Sequence, residues 1–428
     1  MKKIGVRSLI KKSIGKLGST GFFHVFGSTT INKIIGFASG IVLVRLISKS
    51  DYGVFSYANN LINFFMIACG FGAASGVLQM CSEQREEHEK KQLYVYASRN
   101  SFLINCALSV LILLVALFVP LKIEGANFCL AMMAFLPIFS YTYEMQAIFL
   151  RTQRRNKEFS YSNSFSTIII FLLSCVFSYF FQVKGLVAAK YIAFFLSSVF
   201  VMWRFRVGYP INKKTQLSND IKKQYWGISL ISMLNNGMSG LMYMLDIFVL
   251  GIVIPESTVV ASYKLATNIP TALAFIPAAL VTYIYPYFAL HRENKAWVKK
   301  KSLLAAGSLA VICSAIALVM VIFAPIIIGV IFGNQYLDAV PCFRVLSISF
   351  VISAVFRTLP GAILVTQRKL KFNLFTATFS SIVNMILNVV FITKWESIGA
   401  AYATLVTVVI TGVLDTVYLI YILNKKRD

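Results

Sequence analysis

Leu150-Arg151-Thr152-Gln153-Arg154-Arg155, with Phe159 close behind, is echoed by Leu364-Val365-Thr366-Gln367-Arg368-Lys369, with Phe372 close behind. The two stretches stand 214 residues apart, half of the 428-residue chain. Gly185 in KGLVAAKY and Gly399 in IGAAYATL keep the same spacing. Landmarks that recur at one fixed period identify a duplicated unit. Between them the sequence is a succession of apolar runs, each long enough to cross ~30 Å of hydrocarbon with about 20 residues. A duplicated six-helix unit in a membrane is the build of many secondary transporters, whose site lies between the repeats near the midplane.

Composition agrees. Hydrophobic residues make up 58% and charged ones 13%, with a mean hydropathy of +0.74. A soluble domain carries about a quarter charged residues. The expected fold class is therefore an all-α integral membrane protein. Twelve transmembrane helices form two six-helix lobes, related by internal repeat around a central cavity. The expected division is an amphipathic N-terminal segment 1–20, an N-lobe 21–206, a cytoplasmic linker 207–224 and a C-lobe 225–428. In the first segment Ile10, Ile14 and Leu17 recur at helical spacing among Lys11, Lys12 and Lys16, the pattern of a helix lying on a membrane surface.

The net charge of +25 is spread over many short loops, so it does not point to nucleic acid. It is distributed unevenly instead. Of the 41 lysines and arginines, thirty-one lie on one alternating set of connections and the chain ends, five on the other set. Positive charge collects on the cytoplasmic side, which places both termini in the cytoplasm. Seven cysteines without a CxxC pair and three scattered histidines offer neither a disulfide frame nor a metal site. No cofactor is expected. The outer connections are too short for the chemistry of a membrane glycan polymerase or ligase, so no catalytic residue is assigned.

Five basic residues remain inside the spans: Lys33, Lys190, Lys264, Arg344 and Arg357. Three acids join them: Glu144, Asp246 and Asp415. Each costs about 2.5–3.5 kcal/mol at a helix centre on insertion scales, so each is expected to face a cavity or a partner. Lys33 lies near the middle of the first span, too deep to reach the interface. Lys190 and Lys264 lie closer to the outer ends, where snorkelling competes. Lys33, Lys264, Arg357 and Lys190 are the candidate cavity cations for substrate. Asp246 is either the partner of Lys264 or the site of a coupling ion. The excess of cations favours an anionic cargo, a phosphate or pyrophosphate group; a carrier of cationic drugs would show acids. Pro270, Pro277 and Pro286 in span eight, and Gly70, Gly72 and Gly76 in span two, mark helices that bend or approach closely.

Several segments, in order, resemble the polysaccharide transporter family, in particular Wzx-type O-antigen flippases. Arg45-Leu46-Ile47-Ser48-Lys49-Ser50-Asp51-Tyr52-Gly53 is similar to the family's R-L-x-S-x-x-x-Y-G. Asp246-Ile247-Phe248-Val249-Leu250-Gly251, followed by Tyr263, resembles its D-R-x-x-L-G and Y, with Ile247 where arginine is usual. Phe332-Gly333-Asn334-Gln335-Tyr336 with Ala339 resembles F-G-x-x-Y-x-x-A. Asn384, Asn388, Gly399, Ala400 and Ala401 match N-x-x-x-N and G-A-A. The resemblance implies a bacterial inner-membrane flippase that carries an undecaprenyl-pyrophosphate-linked O-antigen or capsule oligosaccharide between leaflets by alternating access. It also implies a cavity lined by spans one, two, seven and eight, a coupling ion (H+ or Na+), and polysaccharide polymerase and chain-length proteins as partners. An ion-coupled small-molecule antiporter on the same fold and a lipid II flippase are the alternatives, the latter resembling a longer, fourteen-span pattern.

Overall fold

The computed structural model describes residues 22–83, 85–210 and 217–425. The amphipathic segment expected over 1–20 and the middle of the 207–224 connector lie outside the described residues. The first half begins with α1 (Phe22–Leu46), α2 (Lys49–Ile67), a 3-10 turn at Cys69–Gly72 and α3 (Ala73–Ser82). It continues with α4 (Glu87–Phe118), α5 (Ala126–Met133), α6 (Leu136–Thr152) and α7 (Asn156–Phe205). The second half runs α8 (Asn219–Val253), α9 (Ser257–Leu273), α10 (Phe275–Leu290), α11 (Lys295–Ile322) and α12 (Ala324–Phe332). After the 3-10 turn Asn334–Ala339 come α13 (Val340–Ile352), a π-helical turn Ser353–Thr358, α14 (Leu359–Thr366) and α15 (Leu370–Asn424).

Among the described residues nine helices are long and apolar enough to cross a membrane, counting segments that continue through a short break as one. Leu117, Phe180, Trp203, Val330 and Val417 are exposed on their outer faces. In water such a belt would drive aggregation; in a bilayer it meets lipid, while the backbone bonds stay inside each helix. The chain is a multi-pass membrane protein.

The 214-residue period is written in the backbone. Arg154 (φ 58°) and Arg368 (φ 60°) both sit in the left-handed region. Around them Arg155 N–H donates to the Leu150 carbonyl at 3.1 Å and Lys369 N–H to the Leu364 carbonyl at 2.9 Å. The two longest helices break at equivalent places, α7 at Gln182 (φ 52°, ψ −133°) and α15 at Glu396 (φ 50°, ψ −130°). Three residues on, a Cβ on Gly185 would stand 1.9 Å from the Phe177 carbonyl oxygen, and one on Gly399 would stand 2.1 Å from that of Phe391. The glycines that mark the repeat in the sequence are therefore required by a folded-back backbone with no room for a methyl group.

Gly399→Ala is accordingly expected to destabilise by about 1–3 kcal/mol, the cost of overpacking. Gly36→Ala, inside α1 with nothing within 4 Å of the added carbon, should stabilise by about 0.5–1 kcal/mol. Thermal midpoints of detergent-purified variants check the pair; a Gly399→Ala midpoint at or above the parent's would remove the packing explanation.

The glycines and prolines of spans two and eight break their helices. Gly70 (φ 54°), Phe71 (φ 49°) and Gly72 (φ 74°) form the turn between α2 and α3. The chain is interrupted again at Ala274, between Pro270 in α9 and Pro277 in α10.

By packing, the chain forms two compact units. Among the described residues one takes in 22–47, 62–120 and 127–237; the other takes in 48–61, 121–126 and 238–425. In the first unit α1 and α6 pack on α7. In the second, α13 and the π turn pack on α15, and α10 on α14. Phe288, Leu309, Leu359, Leu364, Leu419 and Leu423 belong to one buried apolar cluster of that unit.

Candidate functional site

The second unit encloses a carboxylate that no cation among the described residues pairs with. Asp246 of α8 is 7% exposed. Its Oδ2 accepts from the Tyr263 hydroxyl of α9 and from the Thr404 hydroxyl of α15, both at 2.6 Å. Its Oδ1 accepts from the Asn388 amide at 2.7 Å, and the same amide nitrogen donates to Asn384 Oδ1 at 3.0 Å. Asn384 and Asn388 lie four residues apart, one turn of a helix, so both amides reach the same face. Asn388 Oδ1 and Asn384 Nδ2 are buried with no hydrogen-bond partner.

Three neutral donors orient the carboxylate but do not neutralise it. A buried charge of this kind needs a proton or a cation. The oxygens gathered here belong to carboxylate, amide and hydroxyl groups, the donor set of a hard cation rather than a soft metal. Among the described residues no group of three or more His, Cys, Asp or Glu side chains could hold a metal ion.

Lys264 is not the partner of Asp246. Consecutive helical residues point in different directions, and it is Tyr263, its neighbour, that faces the carboxylate. The ammonium of Lys264 is half-buried and joins none of the ion pairs among the described residues. Similar depth in the membrane suggests the pairing; among the described residues the two groups form no ion pair, and Tyr263 meets the carboxylate instead.

The other predicted cations are dispersed. Lys33 is exposed on α1, in the first unit, whereas Lys264 belongs to the second. Lys190 is half-buried in the second part of α7, within electrostatic reach of Cys129 on α5. Arg357 is half-buried in the π turn, within electrostatic reach of Asp415 of α15. Arg344 donates from Nε to the Val321 carbonyl at 3.1 Å.

Two of the sequence motifs meet away from Asp246. Lys49 Nζ lies 2.7 Å from Asp338 Oδ1, donates to the Gln335 carbonyl at 2.9 Å and stands 5.3 Å from the Tyr336 ring centroid. The Ser262 hydroxyl donates to Asp338 Oδ2 at 2.7 Å. The start of α2 is thereby clasped to the turn before α13 inside the second unit. The sequence reading quoted Tyr263, Asn384 and Asn388 as motif letters without a role and missed Thr404. Asn-x-x-x-Asn on a membrane helix was the signal for the amides; Thr404 has no local signal.

Residues 42–341 match the family described as "Polysaccharide biosynthesis protein". Among solved structures the fold is similar to an inward-facing multidrug resistance MATE family transporter of the MOP superfamily. That likeness has a TM-score of 0.73 and 17% identity, covering 92% of this chain and 94% of the other. It is also similar to the lipid II flippase MurJ in an inward closed conformation, with a TM-score of 0.71 and 15% identity over 94% and 87% of the two chains. A MOP superfamily transporter from Pyrococcus furiosus, whose description refers to a reverse polarity of its binding pocket, matches at a TM-score of 0.57 and 15% identity over 97% of each chain. No curated protein matches the chain.

Proposed function

The chain belongs to the polysaccharide biosynthesis protein family, and from that premise we propose that it is an inner-membrane flippase for an undecaprenyl-pyrophosphate-linked O-antigen or capsule repeat unit. Family membership carries the class of cargo. What supports an anionic cargo is the sign of the charges kept inside the spans, five cations against three acids. A prenyl tail can stay in lipid while the sugars and pyrophosphate need a polar route, and cations along that route lower the cost of moving two phosphates. The proposed movement is alternating access with both termini in the cytoplasm, coupled to H+ or Na+ through Asp246. The proposed division is an N-lobe 21–206 and a C-lobe 225–428, joined by the linker 207–224. Lys33, Lys264, Arg357 and Lys190 are the proposed cargo contacts. Transport of this kind makes and breaks no bond in the cargo, so no catalytic residue is assigned.

The test is a strain lacking the gene. It should lose surface glycan and accumulate lipid-linked repeat units that a non-permeant reagent reaches only from the cytoplasmic side. Loss of glycan with the repeat units already exposed outside would assign a later step, such as polymerisation, and sink the reading. In the same strain Lys33→Ala should deliver less glycan at near-parental membrane abundance, and Lys33→Arg more than Lys33→Gln. Equal glycan from Lys33→Ala and the parent at equal abundance would make Lys33 a tolerated structural residue.

A further inference from the structure

A cavity of about 600 Å³ in the second unit is lined by none of the residues around Asp246. Two joints between helices, α10 to α11 and α14 to α15, converge on it with the end of α15. They contribute five cations, Arg292, Lys295, Arg368, Lys369 and Lys425, against one carboxylate, Glu293. Glu293 Oε1 is met by Arg292 Nε at 3.1 Å, and the Lys295 ammonium donates to the Lys425 carbonyl. Cations at helix C-termini ordinarily complement the helix dipole, but that accounts for scattered lysines rather than for a concave pocket of them.

The internal repeat supplies the comparison that gives the cavity meaning. In the first half the equivalent turn satisfies itself. Arg155 pairs with Glu158 and donates to the Phe205 carbonyl at 3.1 Å and to Gln153 Oε1 at 3.3 Å. In the second half, 214 residues on, Phe372 stands where the acid was. Among the described residues no carboxylate pairs with Arg368 or Lys369. Gln367, the counterpart of Gln153, keeps its amide nitrogen buried with no acceptor in the wall of the cavity. A buried donor without a partner costs about 1–3 kcal/mol, and here it sits beside guanidinium and ammonium groups that also only donate. The cations and the unpartnered Gln367 amide outnumber the one carboxylate of this wall and call for an acceptor-rich anion.

The other wall is apolar. Tyr418 stacks on Phe372 at 3.7 Å between centroids, and Tyr418 and Ile422 pack against the buried cluster of Phe288, Leu364 and Leu423. Cations on one side and aromatic and aliphatic groups on the other suit a phosphate that carries a chain into lipid; basic pockets between membrane helices bind such head groups. We propose that this cavity is a binding site for the phosphate group of a lipid, supplied by an anionic phospholipid or by a prenyl pyrophosphate. It is independent of the flippase reading, since a bilayer lipid could occupy it in any transporter of this fold.

Binding to the purified full chain tests it, by native mass spectrometry with phosphatidylglycerol, a polyprenyl pyrophosphate, inorganic pyrophosphate and, as the phosphate-free reference, diacylglycerol. Arg368→Asn/Lys369→Gln should weaken the phosphate-bearing ligands at least about tenfold; asparagine tolerates the left-handed backbone at that position. Arg368→Asn alone should weaken them less than the pair does, and Arg154→Asn, the same single change in the self-satisfied turn, should alter binding less than about twofold. Gln367→Leu should raise the thermal midpoint of the ligand-free protein while lowering its affinity for phosphate, a combination that a purely structural glutamine would not give. Tighter binding of the polyprenyl pyrophosphate than of phosphatidylglycerol assigns the site to a prenyl carrier, and the reverse assigns it to a bilayer lipid. Phosphate-bearing ligands binding no better than diacylglycerol, or equal losses in Arg154→Asn and Arg368→Asn, would overturn the proposal.

Discussion

Asp246→Asn is expected to remove most transport while leaving the protein in the membrane at near-parental level. Asparagine keeps the shape of the side chain, and its oxygen can still accept from Tyr263 and Thr404, which meet Asp246 Oδ2 at 2.6 Å. What it loses is the charge and the acceptor of the Asn388 amide; that amide can turn its unpartnered Oδ1 toward the new NH2 group. In the parent three neutral donors surround a buried carboxylate, so the site favours whichever state of the transporter admits a proton or a hard cation. A coupling free energy of about 1–3 kcal/mol corresponds to about 5–150-fold in affinity. Surface glycan should therefore fall several-fold or more, and the residual transport should no longer respond to collapse of the proton or sodium gradient. Thr404→Val, which removes one donor and keeps the carboxylate, should weaken transport less and preserve the gradient response. Parental glycan from Asp246→Asn, with the gradient response intact, would take Asp246 out of the coupling step.

The parts of this protein that the sequence revealed are those with local spacing. The repeat was legible because tight turns constrain their residues: Arg154 and Arg368 adopt the left-handed conformation, and Gly185 and Gly399 each lie against a carbonyl. Asn384 and Asn388 were visible as a pair because one helical turn separates them. Thr404 was not, since it reaches Asp246 from 158 positions away. Lys264 was misdirected for a similar reason. Depth in the membrane can be counted along a chain, but the direction a side chain takes around the helix is fixed by what the neighbouring helices leave open. The basic cavity shows the same limit. Arg292, Lys295, Arg368, Lys369 and Lys425 all count toward one side of the membrane, yet only the fold brings two connections and a helix end together around one space.

The second large effect concerns Arg357 and separates pairing from cargo binding. Asp415 is 4% exposed, with Oδ1 lacking a hydrogen-bond partner, and it lies within the influence of Thr376 and of the Arg357 guanidinium. Arg357 sits in the π turn Ser353–Thr358, whose Phe356 carbonyl accepts from the Thr416 hydroxyl at 3.2 Å; such widened turns recur at functional positions. At the equivalent place in the first half, 214 residues earlier, Tyr143 donates to Asn163 at 2.9 Å, and Ser162 donates to Tyr143 at 3.2 Å. Val201 stands there for Asp415. The same architecture is thus held without charge in one half, so the fold does not require the charged groups of the other. Arg357→Met removes the guanidinium whose field reaches the buried Asp415 carboxylate, and an uncompensated buried charge is destabilising, so membrane abundance should drop. Arg357→Met/Asp415→Asn removes both charges and should regain abundance. If Arg357 meets the pyrophosphate of the cargo, that double variant still delivers little surface glycan, because abundance and transport have been separated. Parental glycan from Arg357→Met/Asp415→Asn would reduce Arg357 to the neutraliser of Asp415.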